Sequence, residues 1–353
     1  MGEFELIRRH FQRSAPEGSA VVLGVGDDCA LLQPPPGEQL AVSCDMLVEG
    51  RHFFPDADPQ ALGHKALAVN LSDLAAMGAR PLGFTLALSL PAVSDAWLAA
   101  FSQGLLALSD RLACPLVGGD TTAGPLNLCI TVLGSVAPGR ALRRSAARPG
   151  DDLWLSGRTG EARLALERRL GTLWAGSLAL DAPGAAAIEA RLHRPEPRLA
   201  LGMALAGVAR AALDVSDGLA GDLGHVLAAS RVGASIDEAA LPLAPALSGL
   251  PEAHRRECLL HGGDDYELLF TADPARRAEV LAAAQTSQTA VTRIGRIEER
   301  PGLRLQTAGG AVQDWPLRGF DHFGTSGSSA HVLSRRQPRR RRPHRSRPGA
   351  APD

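Results

Sequence analysis

The stretch "LDVSDGLAGDLGHVLAAS" (Leu213–Ser230) reads as a short strand, a tight turn and the start of a helix. The preceding "RPEPRLALGMALAGVARAA" (194–212) has a helical pattern, so the local order is helix, strand, turn, helix, the signature of an α/β layer. Asp214 and Asp217 are three residues apart. If Asp214 ends the strand and Asp217 opens the helix, both point toward one sheet edge. Ser216 is a natural N-cap, and a helix start also suits a nucleotide phosphate. The residues alone leave capping and phosphate binding equally open.

Upstream, apolar alternation predicts strands at Ala20–Leu23, Leu40–Ser43, Gly83–Leu90 and Leu128–Val136. Helical periodicity is clearest in "DPQALGHKALAVNLSDLAAMGA" (58–79) and "SDAWLAAFSQGLLALSDRLA" (94–113). Each opens on a residue suited to capping and is followed by Gly or Pro. Pro149-Gly150 then marks a turn before a new strand, Asp152–Leu155. The expected organisation is an N-terminal domain over 1–147, a C-terminal domain over 148–324 with further strands at Tyr266–Thr271 and Val291–Ile297, and a tail over 325–353. The tail is basic and rich in Pro, which predicts disorder.

A chain of 353 residues suits about two domains. Its 45% hydrophobic content supplies real cores, built mainly from Ala, Leu and Val because aromatics make up only 4%. Lys65 is the one lysine, so no Gly-Lys-Ser/Thr phosphate loop exists. The net charge of -1 divides into +7 on the tail and -8 on the rest, and an acidic body argues against a nucleic-acid-binding core. Five cysteines without a CxxC pair give neither a zinc motif nor a disulfide framework and fit a reducing cytoplasm. "MGEFELIRRHFQR" lacks the apolar centre of a signal peptide, and no uninterrupted apolar run suggests a membrane span.

The chemistry lies in a repeated pattern of Asp among small residues. It occurs in "GVGDDCALL" (24–32, with Asp27 and Asp28), "SCD" (Asp45), "NLSDLAAMGA" (Asp73), "GGDTT" (Asp120), "DVSDGL" (Asp214, Asp217) and "GGDDYEL" (Asp264, Asp265). One Asp beside Gly is most often a turn or a cap. Together these acids offer the hard oxygen ligands that Mg²⁺ prefers, with no His or Cys at zinc spacing. An acidic cluster without a Walker loop suggests cations bridging two anionic phosphates.

In their order, "GVGDDCALL", "NLSDLAAMGARP", "GGDTTAGPL", "LDVSDGLAGDLGH", "GGDDYELLFT" and "GFDHF" resemble the bacterial thiamine-monophosphate kinase family, within the superfamily of aminoimidazole ribonucleotide synthetase. The resemblance runs from about Gly2 to Phe323. It implies an α/β (α+β), two-domain PurM-like fold: an N-terminal dimerisation domain of mixed sheet and helices, a C-terminal α/β domain and a site in the cleft between them. It implies transfer of the ATP γ-phosphoryl group to thiamine monophosphate by a Mg²⁺-dependent homodimer. By matched position, Asp28, Ser43, Cys44, Asp45, Asp73, Asp120, Asp214 and Asp217 are the implied Mg²⁺ contacts. Gly119, Asp120, Arg144 and Ser216 are the implied ATP contacts, and His52, Asp264 and Phe320 the implied substrate contacts. Asp27 is left as a supporting hydrogen-bond acceptor.

Two departures stand out. The family usually has Thr where this chain has Cys44, and a thiol is a poor Mg²⁺ ligand. It usually has Glu where this chain has Asp264, one methylene shorter. The rival readings are a selenophosphate or aminoimidazole ribonucleotide synthetase and, of a different class, a nucleotide- or RNA-binding regulator acting through the basic tail. No cysteine precedes Cys29 to serve a selenophosphate enzyme.

Overall fold

A computed structural model describes residues 2–320. The tail from 325 onward, read above as disordered, lies outside the described residues.

The strands, in chain order, are β1 (Val21–Leu23), β2 (Leu31–Leu32), β3 (Gln39–Val48), β4 (Arg80–Leu90), β5 (Leu116–Ala123), β6 (Asn127–Val136), β7 (Asp152–Ser156), β8 (Ala211–Val215), β9 (Gly233–Asp237), β10 (Glu267–Ala272), β11 (Val291–Glu298), β12 (Gly302–Gln306) and β13 (Val312–Trp315). A small ribbon pairs β1 with β2. A four-stranded sheet runs β3-β6-β4-β5, antiparallel except where β4 and β5 run parallel. A seven-stranded sheet runs β13-β12-β9-β11-β7-β10-β8, with a parallel step at β12-β9. Both sheets are therefore mixed and carry helices, an α/β architecture.

The helix Pro59–Met77 organises the molecule. The Asp58 side chain caps it by accepting the N–H of Ala61 at 2.8 Å, and Gly78 ends it in the left-handed region at φ 67°. Its buried residues lie on all sides, from Ala61 and Leu62 through Lys65 and Asn70 to Ala75 and Ala76. A helix buried on every side belongs inside a protein. One side meets the helix Asp95–Arg111 and strands β3 and β6; the other meets the helix Leu199–Leu205 and strand β8. A single hydrophobic core consequently joins Leu67, Leu71 and Phe84 to Leu201, Leu268 and Phe270, across the two sheets. A second core, including Leu155, Leu213, Leu223 and Ile236, is built from Ala147 and residues after it.

Strand β3 extends to Val48, beyond the expected Leu40–Ser43, and so carries Asp45. The expectation stopped early because Ser43-Cys44-Asp45 interrupts the apolar alternation. Strand β5 was not foreseen, since "GGDTT" reads as a turn; parallel pairing with β4 holds it extended.

Candidate functional site in the interdomain cleft

The site is assembled from the helix Pro59–Met77 and three segments that meet it. Along β3 successive side chains alternate faces, and Ser43 and Asp45 are directed to the helix Pro59–Met77. The Ser43 hydroxyl donates to Asp73 Oδ2 at 2.5 Å, and the Asp45 N–H donates to Asn70 Oδ1 at 2.9 Å. Asn70 is fixed in turn by donating to the Ala66 carbonyl at 2.9 Å. The second segment is the β8 end with its turn, Asp214 to Gly218. The third is the loop Gly262–Tyr266 before β10, which docks on that turn. There the Asp264 N–H donates to Ser216 O and the Tyr266 N–H to Val215 O, both at 2.8 Å.

Four carboxylates from the two halves of the chain gather here. Burial, then the charges of Asp73 and Asp217, push Asp45 up to about 6. Burial, then the Asp73 charge, push Asp214 up to about 7. Burial also raises Asp73, against the lowering effects of the Ser43 hydroxyl and the exposed Arg144. The Tyr266 phenol is raised well above its usual range by burial and then by Asp264, Asp214, Asp45 and Asp217, so it faces the same group.

The implied substrate residues approach the same turn. The Phe320 N–H donates to Asp217 O at 3.0 Å, and the Arg51 guanidinium lies 5.2 Å from the Phe320 ring centre. Next to Arg51, His52 Nδ1 accepts the Val48 N–H at 3.0 Å. Asp264 Oδ1 receives the Lys65 ammonium at 2.8 Å and the Tyr266 hydroxyl at 3.3 Å.

Family models match almost the whole of this framework. The N-terminal domain of AIR synthase related proteins matches residues 26–136, and their C-terminal domain matches residues 148–308. The thiamine-monophosphate kinase of Escherichia coli O157:H7 is 46% identical over 328 residues, covering 92% of this chain and 99% of that one. The chain belongs to the thiamine-monophosphate kinase family. A crystal structure of that kinase from Stenotrophomonas maltophilia K279a superposes with a TM-score of 0.76 at 48% identity, covering 82% of this chain and 92% of that one. AaThiL complexed with AMPPCP and TMP superposes with a TM-score of 0.70 at 27% identity, covering 91% of this chain and 96% of that one.

Some residues that the family resemblance singles out stand apart from the carboxylate group. Asp28 is exposed on the β1–β2 turn, where its N–H donates to Asp27 Oδ1 at 2.9 Å. Asp120 pairs across the sheet with Ala87, which pairs with Cys129 and then Met46. That row faces away from the central helix, whereas Gly119 shares the row of Asp45. Cys44 likewise turns its thiol to the open face, 3.3 Å from the sulfur of Cys129, so only its backbone is directed to the Ser43–Asp45 side.

The Ser216 turn corrects one expectation. The helix N-cap is Gly218, without a side-chain cap, rather than Ser216. The N–H groups of Ser216, Asp217 and Gly218 all donate to Asp222 Oδ2, at 3.0, 3.0 and 3.1 Å. The acceptor at this helix start is therefore the protein's own Asp222 carboxyl group, and those donors are engaged before any phosphate arrives. Asp222 was missed in the sequence, although an Asp one turn inside a helix that follows a Ser-Asp-Gly turn was the available signal. Glu267 was missed as well: a lone acid opening the apolar run "LLF", it is buried against Arg191 and Arg198. The pair in "GGDDYEL" divides its work. Asp264 faces the cleft, and buried Asp265 accepts the Gly160 N–H at 2.9 and 3.0 Å.

The donor set fits Mg²⁺. It consists of crowded carboxylate oxygens whose mutual repulsion a cation relieves, with neither imidazole nor thiolate among them. Among the described residues, no three side chains close around one point as a finished metal cage.

Proposed function

We propose that this chain transfers the γ-phosphoryl group of ATP to thiamine monophosphate, giving thiamine diphosphate and ADP by direct in-line displacement. The observation that carries the reading is the convergence of Asp45 and Asp73 with Asp214 and Asp217 beside the Asp264 and Phe320 loops. Membership of the family, and the AaThiL complex with AMPPCP and TMP, support the choice of substrates. The acceptor is itself a phosphate whose oxygens are largely deprotonated at neutral pH, so no strong general base is required. Catalysis is then positioning and charge neutralisation.

Asp45, Asp73, Asp214 and Asp217 form the proposed Mg²⁺-binding group, with Ser43 and the Cys44 backbone beside them; Asp28 and Asp120, which stand apart from that group, are assigned to further Mg²⁺ contacts. Bound Mg²⁺ would offset the charge of both phosphate chains and of these carboxylates. Gly119, Asp120, Arg144 and Ser216 are assigned to ATP; a guanidinium suits phosphate oxygens. His52, Asp264 and Phe320 are assigned to thiamine monophosphate, with Phe320 against a thiamine ring.

A homodimer is part of the proposal. The open face of β3 exposes Leu40, Val42 and Met46, each more than half accessible, an apolar strip suited to a second copy. A monomeric mass in solution would count against it. A cytoplasmic location is part of the proposal, supported by the free cysteines; among the described residues no helix is long and apolar enough to cross a membrane.

The test uses ATP chiral at its γ-phosphorus, Mg²⁺ and thiamine monophosphate. Thiamine diphosphate with inverted configuration is expected. Retained configuration overturns the direct step, and absence of product overturns the function.

A further inference from the structure

Lys65 is the single lysine of a chain in which every other strong cation is arginine. Its side chain is only 4% exposed, within the helix that both halves of the molecule share. Its helical neighbours Ala61, Leu62, Ala68 and Val69 are all buried. A buried ammonium needs a partner, and it has one across the cleft: Asp264 Oδ1 at 2.8 Å.

The loop that Lys65 grips is strained. Asp264 and Tyr266 adopt φ values of 67° and 51°, left-handed conformations in residues other than glycine. Such backbone persists only where its surroundings hold it, and it gathers at functional sites. Two backbone hydrogen bonds to the Ser216 turn supply part of that hold. Buried Asp265, accepting the Gly160 N–H, adds to it, and Lys65 and the Tyr266 hydroxyl both act on one oxygen of Asp264. The Asp264 side chain remains 30% exposed to the cleft.

We propose that Lys65 is a positioning residue for the acceptor substrate: by holding Oδ1 of Asp264, it presents the second carboxylate oxygen to thiamine monophosphate. This inference rests on the substrate reading above and adds a residue to which that reading assigns no role.

The test is a double-mutant cycle with Lys65→Met and Asp264→Asn. It reads thiamine monophosphate affinity by calorimetry and, separately, the affinity for AMPPCP. Each single variant is expected to bind thiamine monophosphate at least about tenfold more weakly, with AMPPCP affinity within about twofold of wild type. The double variant is expected to be no weaker than the worse single variant, because the two side chains act as one unit. Lys65→Met strands a carboxylate, so it can fail to fold. The double variant removes both charges, and its affinity then decides the matter. Thiamine monophosphate affinity within twofold of wild type, additive losses, or equal loss for both ligands overturns the proposal. Wild-type protein that does not bind thiamine monophosphate overturns the substrate reading itself.

Discussion

At the scale of single residues, the molecule uses acids in two opposite ways. Asp45, Asp73, Asp214 and Asp217 crowd one another in the cleft, whereas Glu267 is saturated with cationic donors. Its carboxylate receives Arg198 Nε and Nη2 at 2.7 and 2.6 Å, Arg191 Nη2 at 2.7 Å and the Ser156 hydroxyl at 2.5 Å. Burial alone would raise its pKa, but Arg198, Arg191 and Ser156 together hold it below the usual glutamate value of 4.5. A depressed carboxylate stabilises the fold above its unfolded pKa, and that stabilisation is lost as pH falls through the folded value. Glu267→Gln leaves two largely buried guanidinium groups uncompensated and is expected to cost about 3–5 kcal/mol at pH 7. Denaturant melts of wild type and variant should show this gap in full at pH 7 and narrowing below about pH 4.5. A gap that stays constant to pH 3.5 contradicts the assignment. The sequence hid this hub because 36 arginines are spread along the chain, and nothing in their spacing marks the two that meet Glu267.

Among the elements, the helix Pro59–Met77 was legible in its limits and not in its surroundings. Its Asp-Pro start and Gly78 stop follow from local chemistry. Its burial on all sides depends on two sheets and two other helices that the segment does not encode. The packing against the helix Asp95–Arg111 is close enough to require glycine. A Cβ on Gly104 would lie 1.8 Å from the Gln60 carbonyl oxygen, and one on Gly63 would lie 2.1 Å from that of Phe101. Backbone cannot yield as a flexible side chain does, so Gly104→Ala is expected to cost at least about 2 kcal/mol and to lower Tm by several degrees. An unchanged Tm contradicts the close approach. Strands show the same limit. β4 and β6 are visible from alternating apolar residues, while β5 is concealed by its glycines; β9, β12 and β13 are not among the expected strands. For the turn at Ser216, its position was read correctly but its capping was not. Asp222 satisfies the three N–H groups from one helical turn away, a contact that forms only once the turn has bent back.

Across the whole molecule, the two halves share a core, and their junction collects acids separated by as many as 219 positions, from Asp45 to Asp264. The order of the motifs disclosed the family and its fold, because each motif keeps its own local shape. Which acids meet was less legible, since that depends on strand register. One residue of offset places Asp45 toward the central helix and Asp120 on the opposite sheet face. The central claim is that this cleft phosphorylates thiamine monophosphate. The most direct measurement is steady-state turnover of the purified chain with ATP and Mg²⁺, offering thiamine monophosphate and free thiamine in parallel. Thiamine diphosphate formed from the monophosphate, dependent on Mg²⁺ and with free thiamine left unphosphorylated, is the result predicted here. Phosphorylation of free thiamine alone, or no turnover of either acceptor, would contradict it.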